Sequence, residues 1–201
     1  MLELIALTSG ALVMVLEMVG ARVMAPHLGT SVIVWTSLIG VVLACLALGA
    51  WLGGRMADRT VSRARLAVIL AWAGCGSALT GLLHSTVAGA VAESVPSLHV
   101  AAVLCAILLL ALPATFFGMV TPYVIRLRME DVSSSGRTVG NLYALSTIGS
   151  IAGTFLGGFV LVSWFDSTHI LLGTGASMLL LSLLACPRPA KVRAALFVLV
   201  C

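Results

Sequence analysis

Apolar residues fill this chain in long blocks, several of which reach the roughly 20 residues needed to cross a hydrocarbon layer of about 30 Å. The breaks between blocks predict six helices: about Leu2 to Met24, Val32 to Gly54, Leu66 to Leu83, Val100 to Leu127, Val139 to Trp164 and Thr168 to Ala185. The sharpest break is Gly49 to Arg65, where an apolar run that began near Ser31 stops and Arg55, Arg59, Arg63 and Arg65 appear together. The segment from Arg128 to Thr138 is polar and serine-rich, a loop by composition. Pro187 and Pro189, either side of Arg188, end the sixth helix. Ala194 to Cys201 is apolar but too short to span and reads as the first turns of a partial seventh helix, so the natural chain is expected to continue.

Composition turns these blocks into a membrane assignment. With 61% hydrophobic residues, 9% charged residues and a mean hydropathy of +1.18, the chain falls far below the roughly 25% charged residues of soluble domains. The expected fold is all-α: one polytopic transmembrane bundle occupying residues 1–201, with the lipid bilayer as its first partner. The first block carries Glu3 in place of a basic flank and is too long for a secretory signal, so it is read as a retained helix.

Charge sets the orientation. Arg55, Arg59, Arg63 and Arg65 follow helix 2, Arg126, Arg128 and Arg137 follow helix 4, and Arg188, Lys191 and Arg193 follow helix 6, leaving Arg22 alone at the opposite ends. Short loops rich in Lys and Arg stay cytoplasmic, which predicts a cytoplasmic N-terminus in the cell (inner) membrane. The net charge of +4 is explained by these loops, so no nucleic-acid partner is inferred.

Gly49 and Gly53 form one GxxxG, and Gly149, Gly153 and Gly157 form two in tandem, on faces where helix backbones can approach closely. The spacing fits packing inside one bundle or a homodimer interface. Pro113 and Pro122 lie inside helix 4 and predict a kink or break unless neighbouring groups satisfy the freed carbonyls. Discontinuous helices of this kind line cavities in transporters.

The candidate chemistry is sparse. Glu17, about three quarters of the way through the predicted helix 1, is a carboxylate where hydrocarbon makes one expensive. Gly10, Val13, Gly20 and Ala21 share its face, which points it into the bundle as a cation or proton site, a structural ion pair, or a protonated acid held by hydrogen bonds. Arg22, the other half of this candidate ligand or proton site, lies about 140° further round the helix, so partners on other helices are expected for both. Asp58 and Arg59 are adjacent at the cytoplasmic mouth, where an acid at the start of helix 3 would be favoured by the helix dipole and could latch a gate through arginine.

His27, His84, His99 and His169 all fall near extracytoplasmic helix ends but share no metal-ligand spacing, so no metal site is assigned. Cys45, Cys75, Cys105, Cys186 and Cys201 form no CxxC or paired spacing. No dinucleotide, Walker or nucleophile-elbow motif is present, and neither a catalytic residue nor a cofactor is assigned.

The ordered motifs resemble a known family. Glu17-x4-Arg22-x3-Pro26-x2-Gly29-x-Ser31-x3-Trp35, then Gly49-x3-Gly53-Gly54-x3-Asp58-Arg59, is similar to the N-terminal membrane region of fused major-facilitator/spermidine-synthase-like proteins. Pro113-x4-Gly118-x3-Pro122-x3-Arg126, Gly136-Arg137-x2-Gly140-x2-Tyr143-Ala144 and the glycines from Gly149 to Gly158 resemble its later helices. His27 stands where an aromatic residue is expected and Ser146 where an asparagine is. The resemblance implies a major-facilitator-like bundle whose loop between helices 2 and 3 helps gate the cytoplasmic side. It also implies an aminopropyltransferase-like partner domain or subunit, which this chain lacks, and a polyamine or other small cationic amine as ligand. A self-standing half-size transporter working as a homodimer, and a scaffold without a ligand, are the alternative readings.

Overall fold

The computed structural model describes residues 1–129 and 135–186. They form helices throughout, six of them long and apolar enough to cross a membrane: α1 (Leu2–Leu28), α2 (Val32–Arg59), α3 (Arg63–Ser94), α4 (Leu98–Arg128), α5 (Ser135–Phe155) and α6 (Ser167–Ala185). The fifth span continues beyond α5 through a π-helical segment, Leu156–Leu161, and one last turn, Val162–Trp164. The expected seventh helix, with Arg188, Lys191, Arg193 and Cys201, lies outside the described residues.

The expected ends were short in three places, because hydropathy stops where helicity does not. α3 runs on to Ser94 through His84-Ser-Thr-Val-Ala-Gly-Ala-Val-Ala-Glu-Ser, which has fallen in hydropathy but contains no proline until Pro96. At 32 residues α3 is about 48 Å long and outreaches the bilayer core. α1 passes Pro26 to Leu28 and ends at Gly29, whose φ of 78° is the left-handed conformation that suits glycine; its N–H donates to the Ala25 carbonyl at 2.9 Å. α2 extends to Arg59, so Asp58 belongs to its last turn and not to the start of α3. The starts of α2 and α3 are capped by serine: the Ser31 and Ser62 hydroxyls accept from the N–H groups of Val34 and Arg65.

Pro113 and Pro122 do not break α4, which is continuous from Leu98 to Arg128. The carbonyl that Pro113 frees is that of Leu109, four residues back, and the Thr80 hydroxyl of α3 lies 2.5 Å from it as donor. Gly76, one turn earlier on α3, leaves room for the ring: a Cβ there would sit 3.2 Å from Pro113. The neighbouring helix thus supplies what proline removes.

Helix packing follows the glycines. α2 packs most extensively on α4, α3 on α6 and α1 on α5. A Cβ on Gly49 would run into the Thr115 carbonyl and one on Gly53 into Met119, while Gly118 faces the Leu46 carbonyl. The same arrangement recurs elsewhere: Gly149 meets the Leu7 carbonyl, Gly153 meets Ala11, and Gly10 faces the Ser146 carbonyl. Gly74 of α3 and Gly175 of α6 meet each other reciprocally, each Cβ position 2.8 Å from the other's carbonyl oxygen.

Exchanging α1 with α4, α2 with α5 and α3 with α6 therefore maps one set of contacts onto the other. The start of α1 lies beside the end of α4, where Glu3 and Arg128 approach to 3.7 Å. The two three-helix units consequently run in opposite directions, an inverted repeat. The GxxxG faces are used inside the chain, which removes them as a dimer interface.

Candidate intramembrane site

Because α1 is longer than its apolar block, Glu17 lies two residues beyond its midpoint, Val15, rather than three quarters along. Along its stripe Ala6, Gly10, Gly20 and Met24 are buried, and Val13 and Glu17 half-buried. Gly20, about 60° to one side of Glu17, touches Leu110 of α4 and Leu38 of α2. Met18, about 100° to the other side, touches Gly158 of the π-helical segment. Glu17 thus lies half-buried near the middle of α1, between the side that meets α2 and α4 and the side that meets the π-helical segment. Among the described residues it has neither a hydrogen bond nor an ion pair.

Arg22 does not join it. Its Nη1 donates to the carbonyls of Val162 (2.7 Å) and Phe165 (2.9 Å), at the end of the fifth span, where a cation complements the helix dipole. Glu17 and Arg22 therefore belong to different surroundings, as their 140° separation requires.

At the arginine-rich end, Asp58 pairs with Arg126 of α4 (Nε to Oδ1, 3.8 Å) rather than with Arg59, which makes no ion pair among the described residues. Both partners are largely exposed, 79% for Asp58 and 47% for Arg126, which limits the pair to about 0–1 kcal/mol. The stronger fastening of this loop is Tyr123 of α4, which is fully buried. Its hydroxyl accepts from the Ser62 N–H at 3.1 Å and lies within donating distance of the Thr60 and Ser62 carbonyls, 3.2 and 3.3 Å. Arg55 lies over the ring of Trp51, 5.3 Å from its centroid.

Sequence reasoning missed Tyr123, Thr80 and Arg126 as partners. Pro122 and Pro113 mark the turns concerned, but which residue of another helix answers them depends on interhelical register.

At the opposite end His27 of α1 packs beside Gly89 of α3, near enough to His84 for the two imidazoles to interact. His84 Nε2 meets the Thr168 hydroxyl at 3.1 Å and His169 Nδ1 lies 3.9 Å from Asp166. Among the described residues no three of His, Cys, Asp and Glu come together as metal ligands. Compared with protein-family models, curated proteins and solved structures, the chain matches none.

Proposed function

We propose that this bundle is the membrane domain of a spermidine-synthase-like protein. In this reading it is major-facilitator-like, with its arginine-rich end in the cytoplasm. It anchors an aminopropyltransferase-like domain or subunit, and it binds and moves a polyamine or another small organic cation at Glu17. The observation that carries the reading is Glu17 itself, a half-buried carboxylate near the middle of α1, without a cationic partner among the described residues. Intramembrane acids mark ion or substrate pathways, and a cation from outside the bundle supplies the missing charge. The inverted three-helix repeat supports the major-facilitator part, since halves of that superfamily are built so, with substrate sites near the midplane.

The test is uptake of labelled spermidine into proteoliposomes. Glu17→Gln, which keeps size and removes charge, is expected to abolish uptake while the protein retains its helical circular dichroism. Undiminished uptake by the folded variant would remove Glu17 from the pathway.

A second reading, a half-size transporter acting as a homodimer, is favoured by one feature. α2 and the fifth span are the least buried of the six spans, although their glycine faces are already occupied within the chain. A dimer would use their remaining faces, and its mass in mild detergent would be twice the 20.7 kDa of one chain. A monomer by that measurement rejects this reading.

A further inference from the structure

Arg22 lines a cavity beside the π-helical segment of the fifth span. Between α1, the start of α2 and this segment lies a cavity of about 280 Å3, walled by Met18, Ala25, Val34, Trp35 and Val162, with Thr30 as a polar neighbour and Arg22 as its charged residue. Arg22 cannot swing freely. Both hydrogens of its Nη1 are taken by the Val162 and Phe165 carbonyls, which hold the guanidinium plane in place. Its other edge, Nε and Nη2, has no acceptor among the described residues, nor does any polar side-chain atom lie fully buried and unsatisfied. That free edge is reachable from outside the protein.

The Nε and Nη2 edge of arginine is the fork that takes a carboxylate or phosphate through two parallel hydrogen bonds. The cavity that Arg22 lines is otherwise aliphatic and aromatic apart from Thr30, surroundings that suit an apolar chain and strengthen a charge-assisted bond. We infer that the cavity of α1, α2 and the π-helical segment binds an anionic amphiphile, its acidic head on Arg22 and its apolar part against Val34, Trp35 and Met18. Ligand cavities run from roughly 300 to 1,000 Å3, so this one takes a short acyl anion whole, or only the head or tail end of a membrane lipid. The site is opposite in charge to Glu17 and independent of the cation reading.

The test uses the full chain in phosphatidylcholine nanodiscs, with labelled octanoate as probe and empty nanodiscs as the blank. Saturable binding is expected, competed by unlabelled octanoate but not by octylammonium or octanol. Arg22→Gln should weaken it about tenfold or more, the loss of a bidentate charge-assisted pair. Ala25→Phe, which fills the cavity and leaves Arg22 in place, should do the same and carries the test if Arg22→Gln fails to fold.

Nanodiscs containing phosphatidylglycerol separate the sources. Arg22-dependent retention of that lipid, with octanoate excluded, would make the membrane the source of the anion. Octanoate binding equal to the empty-disc blank without lipid retention, competition by octanol or octylammonium as strong as by octanoate, or binding unchanged in both variants would overturn the proposal.

Discussion

Gly149 and Gly54 are both glycines in apolar helices, yet their surroundings make opposite predictions. A Cβ on Gly149 would run into the Leu7 carbonyl, whereas one on Gly54 meets nothing within 4 Å. Gly149→Ala forces backbones apart and is expected to cost about 1–3 kcal/mol, as overpacking does. Gly54→Ala is expected to be neutral or to stabilise by up to about 1 kcal/mol, through helix propensity. Thermal unfolding in detergent reads both, and equal effects would contradict the packing described. The spacing of Gly49, Gly53, Gly149 and Gly153 was visible in the sequence. Their partners were not, because a glycine says that something comes close without saying which helix it is.

Whole helices depend on a few cross-helix groups that hydropathy does not report. Tyr123 ties α4 to the Thr60–Ser62 turn, and its loss as Tyr123→Phe leaves the Ser62 N–H without that acceptor. The expected cost is about 1–3 kcal/mol, together with faster proteolysis between Arg59 and Arg65. Asp58→Asn breaks only the exposed pair with Arg126 and should cost less than about 1 kcal/mol. If the aspartate variant were the more damaging of the two, the loop would be held by charge and not by Tyr123. Element types were legible because each span is a long apolar block. The ends of α1, α2 and α3 were less so, since a helix that leaves the hydrocarbon loses its apolar signal before it loses its hydrogen bonds. The π-helical segment at Leu156–Leu161 left no trace beyond Gly157-Gly158.

Across the molecule, two inverted three-helix units place one acid at mid-depth on α1. Pseudosymmetry sharpens its singularity: in the register that matches Leu7, Gly10 and Ala11 with Thr115, Gly118 and Met119, Glu17 corresponds to Ile125 of α4. The repeat supplies the architecture twice and the charge once. Glu17 was legible as an anomaly of composition. That it is half-buried without a partner, apart from Arg22, follows only from how α2, α4 and the π-helical segment flank α1. Equilibrium binding of labelled spermidine to the purified protein, compared between wild type, Glu17→Asp and Glu17→Gln, tests the cation site most directly. The account predicts saturable binding that survives, weakened, in Glu17→Asp and is lost in Glu17→Gln; equal binding by all three folded proteins would contradict it.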